Sequence, residues 1–142
     1  MQFDLEAIYK DYLELPYEEK VENAIGSIGE ISLSLREIGV SEEDRIRFYL
    51  NLTALFVAAD KTVSASELKL FNDVFESSFD LESFSKFLSG GDDPKFIEQM
   101  DFIIDKFSDE AKFAACVYGL IFLSIDGKIT AKEKAVFEKI LA

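Results

Sequence analysis

Residues 121–140 read IFLSIDGKITAKEKAVFEKI, and residues 55–74 read LFVAADKTVSASELKLFNDV. Laid one above the other at a constant offset of 66 residues, the two stretches keep both chemistry and phase. Phe56 meets Phe122, Asp60 meets Asp126, Ala65 meets Ala131, Glu67 meets Glu133 and Phe71 meets Phe137. Val63 and Ile129, Ser64 and Thr130, and Val74 and Ile140 agree in type. Upstream, Ser41-Glu42-Glu43-Asp44 and Ser108-Asp109-Glu110 both read as helix starts, one residue out of register. Each copy therefore reads as an apolar helix, a short acidic bend and a second, capped helix, which marks an internal duplication of a helix-loop-helix unit. Two such hairpins should pack on each other, with the helices of residues 42–59 and 109–125 at the centre.

Working outward, the remaining segments are also helical in period. Phe3, Ile8, Tyr12 and Leu15 pattern a first helix that stops at Pro16, and Glu18 and Glu19 suit the N-terminal dipole of the next one. That second helix runs through Val21, Ile25, Ile28, Ile31 and Leu35 as its apolar positions towards Gly39. Gly26 and Gly29 either weaken it or let a neighbouring helix come close. Ser64 opens a helix with Phe71, Phe75 and Phe79 at fourfold spacing, which reads as a core face before it reads as a partner groove. Asp80 caps a short piece through Phe84, Phe87 and Leu88, Gly90-Gly91 marks a loop, and Asp93-Pro94 starts another helix. The expectation is an all-α fold, a compact bundle of about eight helices in one domain over residues 1–142. Its parts are N-terminal helices (1–40), the first repeat (41–80), connecting helices (81–107) and the second repeat (108–142).

Composition narrows the chemistry. Hydrophobic residues make up 49% and charged residues 30% of 142 positions, the balance of a globular chain with a real core. Fifteen basic residues face 28 acidic ones, a formal net charge of −13, and residues 1–44 alone hold twelve acids against three bases. Such a surface repels nucleic-acid phosphates and anionic lipid heads and attracts cations or a basic protein partner. With no histidine, imidazole-based acid/base catalysis, Ser-His and Cys-His pairs and imidazole zinc sites are excluded. The lone Cys116 lies in the apolar run FAACVYGLIF, where a small buried residue is expected in place of a reactive thiol. One cysteine leaves no internal disulfide, and MQFDLEAIYK shows no signal-peptide pattern, so a cytoplasmic protein is expected. The longest apolar run spans 11 residues, from Phe113 to Leu123, too short to insert directly into a bilayer.

The bends carry the most specific residues. Ser64 with Glu67, and Thr130 with Glu133, have the S/T-x-x-E spacing of a capping box, which explains them with no ligand. Asp60 and Asp126 fit that explanation less well, because an acid at a helix C-terminus opposes the dipole and calls for a turn hydrogen bond, a lysine or a cation. Asp126, Gly127, Ile129 and Glu133 match the fifth, sixth, eighth and twelfth positions of a calcium-binding EF-hand loop. Phe122 and Ser124, and in the other copy Phe56 and Ala58, occupy the positions of its first ligands, so a true EF-hand is excluded. A weaker divalent-cation site formed by Asp60, Glu67, Asp126 and Glu133 is left open by the spacing.

Ala59-Asp60-Lys61-Thr62-Val63-Ser64-Ala65-Ser66-Glu67 and IDGKITAKE resemble the signature of the TerB-like family, which includes tellurite-resistance TerB proteins and the N-terminal domain of some DnaJ-type co-chaperones. The resemblance covers residues 41–142; Lys61 stands where glycine is expected, and Ile125 where alanine is usual. It implies a compact helical bundle, no enzymatic activity, and a bacterial role in stress or tellurite resistance. It also implies divalent-metal binding at Asp60, Glu67, Asp126 and Glu133. The competing expectation is a protein-interaction module whose acidic surface binds a basic partner, with those four residues serving only as helix caps.

Overall fold

In the computed structural model, residues 4–57, 63–88, 93–125 and 131–141 are described, with the side chains of Leu5, Val57, Phe87, Ala131 and Lys132 set aside. They form eight helices: α1 (Leu5–Glu14), α2 (Tyr17–Glu37), α3 (Glu42–Val57), α4 (Ala65–Phe75), α5 (Leu81–Leu88), α6 (Pro94–Ile104), α7 (Asp109–Ser124) and α8 (Ala131–Leu141). The chain is all-α, and no strand occurs among the described residues. No helix among them is long and apolar enough to cross a membrane.

Short polar residues start the helices, at Ser64, Asp93 and Ser108 where the spacing predicts and at Asp4 where the apolar period singles out no cap. Asp4, Ser64, Asp93 and Ser108 each accept a backbone N–H of the first turn that follows, and Pro94 occupies the first turn of α6. At the start of α5 the Asp80 carboxylate accepts the Ser83 N–H at 2.7 Å, a bond that holds its pKa below the ordinary value.

The helix at the centre is α7. Apart from its first turns it is buried on every side, from Ala114 through Ser124, as a helix apolar all round must be. It is enclosed by α1, α2, α3 and α8, and its most extensive neighbour is α2. Helices 42–59 and 109–125 are expected at the centre; α3 does pack on α7, and α2, a helix outside the repeat, packs on α7 more extensively still.

The reason is the composition of the buried face of α2. Lys20, Ala24, Ser27, Ile31, Ser34 and Leu35 are the buried side chains, a line at helical spacing rich in small residues, which lets α2 approach α7 closely. Ile25, expected on the apolar side, is 49% exposed, and Leu33 is 52% exposed. Gly26 and Gly29 are also solvent-facing, and a Cβ at either would meet nothing within 4 Å. No neighbouring helix uses them, although each costs about 1 kcal/mol relative to alanine in a helix interior.

The two units, α3 with α4 and α7 with α8, are equal in length, 16 and 11 residues each. Their equivalent phenylalanines pair crosswise. Phe56 of α3 stacks on Phe137 of α8 with ring centroids 4.8 Å apart, and Phe71 of α4 meets Phe122 of α7 edge-on at 6.4 Å. Gly119 makes the first of these contacts feasible, since a Cβ there would lie 2.7 Å from the Phe56 ring. Between the units, the Tyr118 hydroxyl and Thr53 Oγ1 share a buried hydrogen bond of 2.6 Å.

The phenylalanine spacing at Phe71, Phe75 and Phe79 is corrected in one respect. Helix α4 ends at Phe75, and Glu76 adopts the left-handed conformation (φ 51°). The chain turns there, and Asn72 fastens Phe79 through its backbone, donating to the carbonyl at 3.0 Å and accepting the N–H at 3.1 Å. The three rings still cluster, with Phe71 fully buried and its centroid 4.5 Å from Phe75 and 5.9 Å from Phe79. They belong to the core.

Candidate functional site

At the first bend, Ser64 has extended dihedrals (φ −86°, ψ 158°), which point its hydroxyl back over the first turn of α4. The Glu67 N–H donates to Ser64 Oγ at 3.1 Å, and the Ser64 N–H donates to Glu67 Oε1 at 3.0 Å. The capping box expected from spacing is thus formed in both directions. Glu67 is only 4% exposed, so its carboxylate is turned inward onto the cap. Val63 and Leu68, on either side of the box, pack against the core.

At the second bend, Glu133 is 2% exposed, as deeply placed as its counterpart Glu67. The other two predicted ligands, Asp60 and Asp126, lie outside the described residues, as do Lys61, Gly127 and Thr130. Of the four predicted ligands, the described part of the structure therefore shows two, each buried at the start of the second helix of its unit. Among the described residues, no three or more Asp, Glu, Cys or His side chains are grouped as ligands for a metal ion.

What holds the C-terminus of α7 was not anticipated from the repeat. The Tyr9 hydroxyl donates to the Leu123 carbonyl at 3.3 Å, and Lys20 Nζ donates to the Ser124 carbonyl at 3.4 Å. Both donors come from the N-terminal helices, and Lys20 is buried, which lowers its pKa by desolvation. An ammonium among the last carbonyls of a helix complements the negative end of the dipole. A positive charge at the end of α7 is thus supplied by the chain itself. The signal was present in the sequence: Lys20, Ala24, Ser27 and Ile31 share a face at spacing four, three and four. Reading Ile25 as core concealed it.

Cys116 lies in the core, and burial pushes its thiol up to about 12, so the reactive thiolate is suppressed.

A concave feature lies elsewhere. A groove of about 580 Å³ runs along α1, α2 and α7, lined by Glu22, Glu30 and Glu110 together with Tyr12, Phe113 and Val117. Ala114 and Val117 are nearly buried and give it an apolar base, while Gly26 leaves it open on the α2 side. None of its three glutamates forms an ion pair among the described residues. It is an apolar depression flanked by three glutamates, two of them, Glu22 and Glu30, from the most acidic third of the chain.

No protein-family model, curated protein or solved structure matches the chain.

Proposed function

We propose that this chain is a non-enzymatic interaction module that binds a basic protein segment in the groove between α2 and α7. One observation carries the reading: three glutamates without ion pairs among the described residues line an apolar depression large enough to take side chains. Apolar contacts would supply affinity, and the negative field would select a cationic partner and speed its approach. On this reading Glu67 and Glu133 are structural, each set at the start of the second helix of its unit. The stress- or tellurite-resistance setting implied by the TerB-like resemblance is part of the proposal, with the groove as the working surface.

The test is affinity capture with the wild-type chain and with a Glu22→Lys/Glu30→Lys/Glu110→Lys variant. The wild type should retain a basic protein that the variant releases, and retention should fall as salt is raised through roughly 0.1 to 1 M, where screening shortens from about 10 to about 3 Å. Equal retention by both proteins, or retention indifferent to salt, counts against it.

A second reading, the divalent-cation site, is favoured by one observation: Glu67 and Glu133 occupy equivalent positions and are both buried. Against it stand the bonds that Glu67 already makes to its own cap and the ammonium of Lys20 at the end of α7. Calorimetric titration with calcium, magnesium, manganese and zinc decides between the two. The cap reading expects no saturable heat, whereas heat that disappears in Asp60→Asn/Asp126→Asn would reinstate the cation.

A further inference from the structure

The exposed side of α2 contains a feature that the fold of this chain does not use. Glu22, Gly26, Gly29 and Leu33 follow one line along the helix at spacing four, three and four, with Ile25 and Glu30 beside it. The two glycines open onto empty space, and the two aliphatics flanking them are about half exposed. A helix carrying two surface glycines and two surface aliphatics is poorly suited to water. It is well suited to another helix, because a missing Cβ lets backbones approach more closely than the usual 8–10 Å between axes. The line continues into the acidic groove, which shares Glu22, Gly26 and Glu30.

From this face we infer that the occupant is an amphipathic basic helix of a partner protein, crossing α2 at the Gly26–Gly29 notch. Its apolar side rests on Ile25, Leu33 and the base of the groove, and its lysines or arginines meet Glu22, Glu30 and Glu110. A second copy of this chain is disfavoured as the occupant, since it would bring a net charge of −13 against −13. An extended basic peptide would satisfy the glutamates yet leave the notch without purpose. The inference rests on the groove reading given above and narrows it to one partner shape.

The probe is a fluorescent leucine-lysine peptide of roughly 18 residues, five helical turns, patterned as an amphipathic helix. Its control has the same composition with two central residues replaced by proline, which prevents the helix. Anisotropy titrations should show the helical peptide binding the wild type at least about tenfold more tightly than the control, roughly 1.4 kcal/mol. In Gly26→Leu/Gly29→Leu the advantage should vanish while the thermal midpoint holds or rises, since the added side chains enter open space and leucine favours helix. Equal binding of the two peptides to the wild type, or an undiminished preference in the leucine variant, overturns the inference. If the Glu22→Lys/Glu30→Lys/Glu110→Lys variant then still loses both peptides, the groove reading stands without the helix. If neither peptide binds the wild type, both fall.

Discussion

The start of α4 is fastened by local chemistry, whereas the end of α7 draws on helices far away in sequence. Ser64 and Glu67 fasten the start of α4 to itself within four residues. The end of α7 is instead held by Tyr9 and Lys20, more than a hundred positions earlier. The units are equal in length, their phenylalanines pair reciprocally and near-continuous burial begins at matching positions, Phe48 and Ala114, yet α7 packs chiefly on α2 and α1 whereas α3 packs chiefly on α5. Near-equivalent sequences can thus be given different surroundings, and the surroundings decide which of them is free to face a partner. Here α1 and α2 cover the second unit, and the acidic groove lies along that cover.

The comparison can be broken most forcefully at the crossed rings. Phe56→Ala and Phe122→Ala should each lose about 3–5 kcal/mol in urea unfolding, because each opens a cavity in a sealed core. Should the two losses differ by more than that range, the reciprocal pairing is not energetically symmetric. Gly119→Ala follows, with an expected loss of about 1–3 kcal/mol from overpacking against the Phe56 ring. Placing the same change in a Phe56→Leu background should relieve most of it, and failure of that relief would detach Gly119 from the ring. Smallest are the bends themselves. Ser64→Ala should cost about 0.5–2 kcal/mol through loss of the cap, and Tyr9→Phe about 0.5–1.5 kcal/mol through one buried hydrogen bond. Native-state hydrogen exchange sharpens this last contrast: the first change should loosen the start of α4, the second the end of α7.

Helix starts were the most legible part of the chain. Ser64, Asp80, Asp93 and Ser108 act through atoms within three residues, so local spacing suffices to find them. The capping box at Ser64 and Glu67 was readable for the same reason. Helix faces were less so. Ile25 and Leu33 look like core by hydropathy, and Ala24, Ser27 and Lys20 do not, yet burial runs the other way. Close approach to α7 rewards small side chains, and that reward exists only once α7 is in place. The course of the chain after Phe75 was similarly hidden, since Asn72 fastens Phe79 through a turn that fourfold periodicity continues straight past. Among the four predicted ligands, the box explains Glu67, and burial in the second unit describes Glu133. The acidic groove escaped notice because Glu22, Glu30 and Glu110 meet only when α2 lies against α7.

Alone, the sequence determined the helical class, most of the places where helices begin, the capped first bend and a surface dominated by negative charge. These depend on backbone dihedrals, nearest-neighbour hydrogen bonds and composition, all of which act over a few residues or over the whole chain at once. Tertiary structure decided the rest: that α2 is the closest companion of α7, that Lys20 serves the end of a distant helix, and that two glycines face outward. Those outcomes turn on which surfaces meet, and contact between segments a hundred residues apart is fixed by packing that no local pattern records.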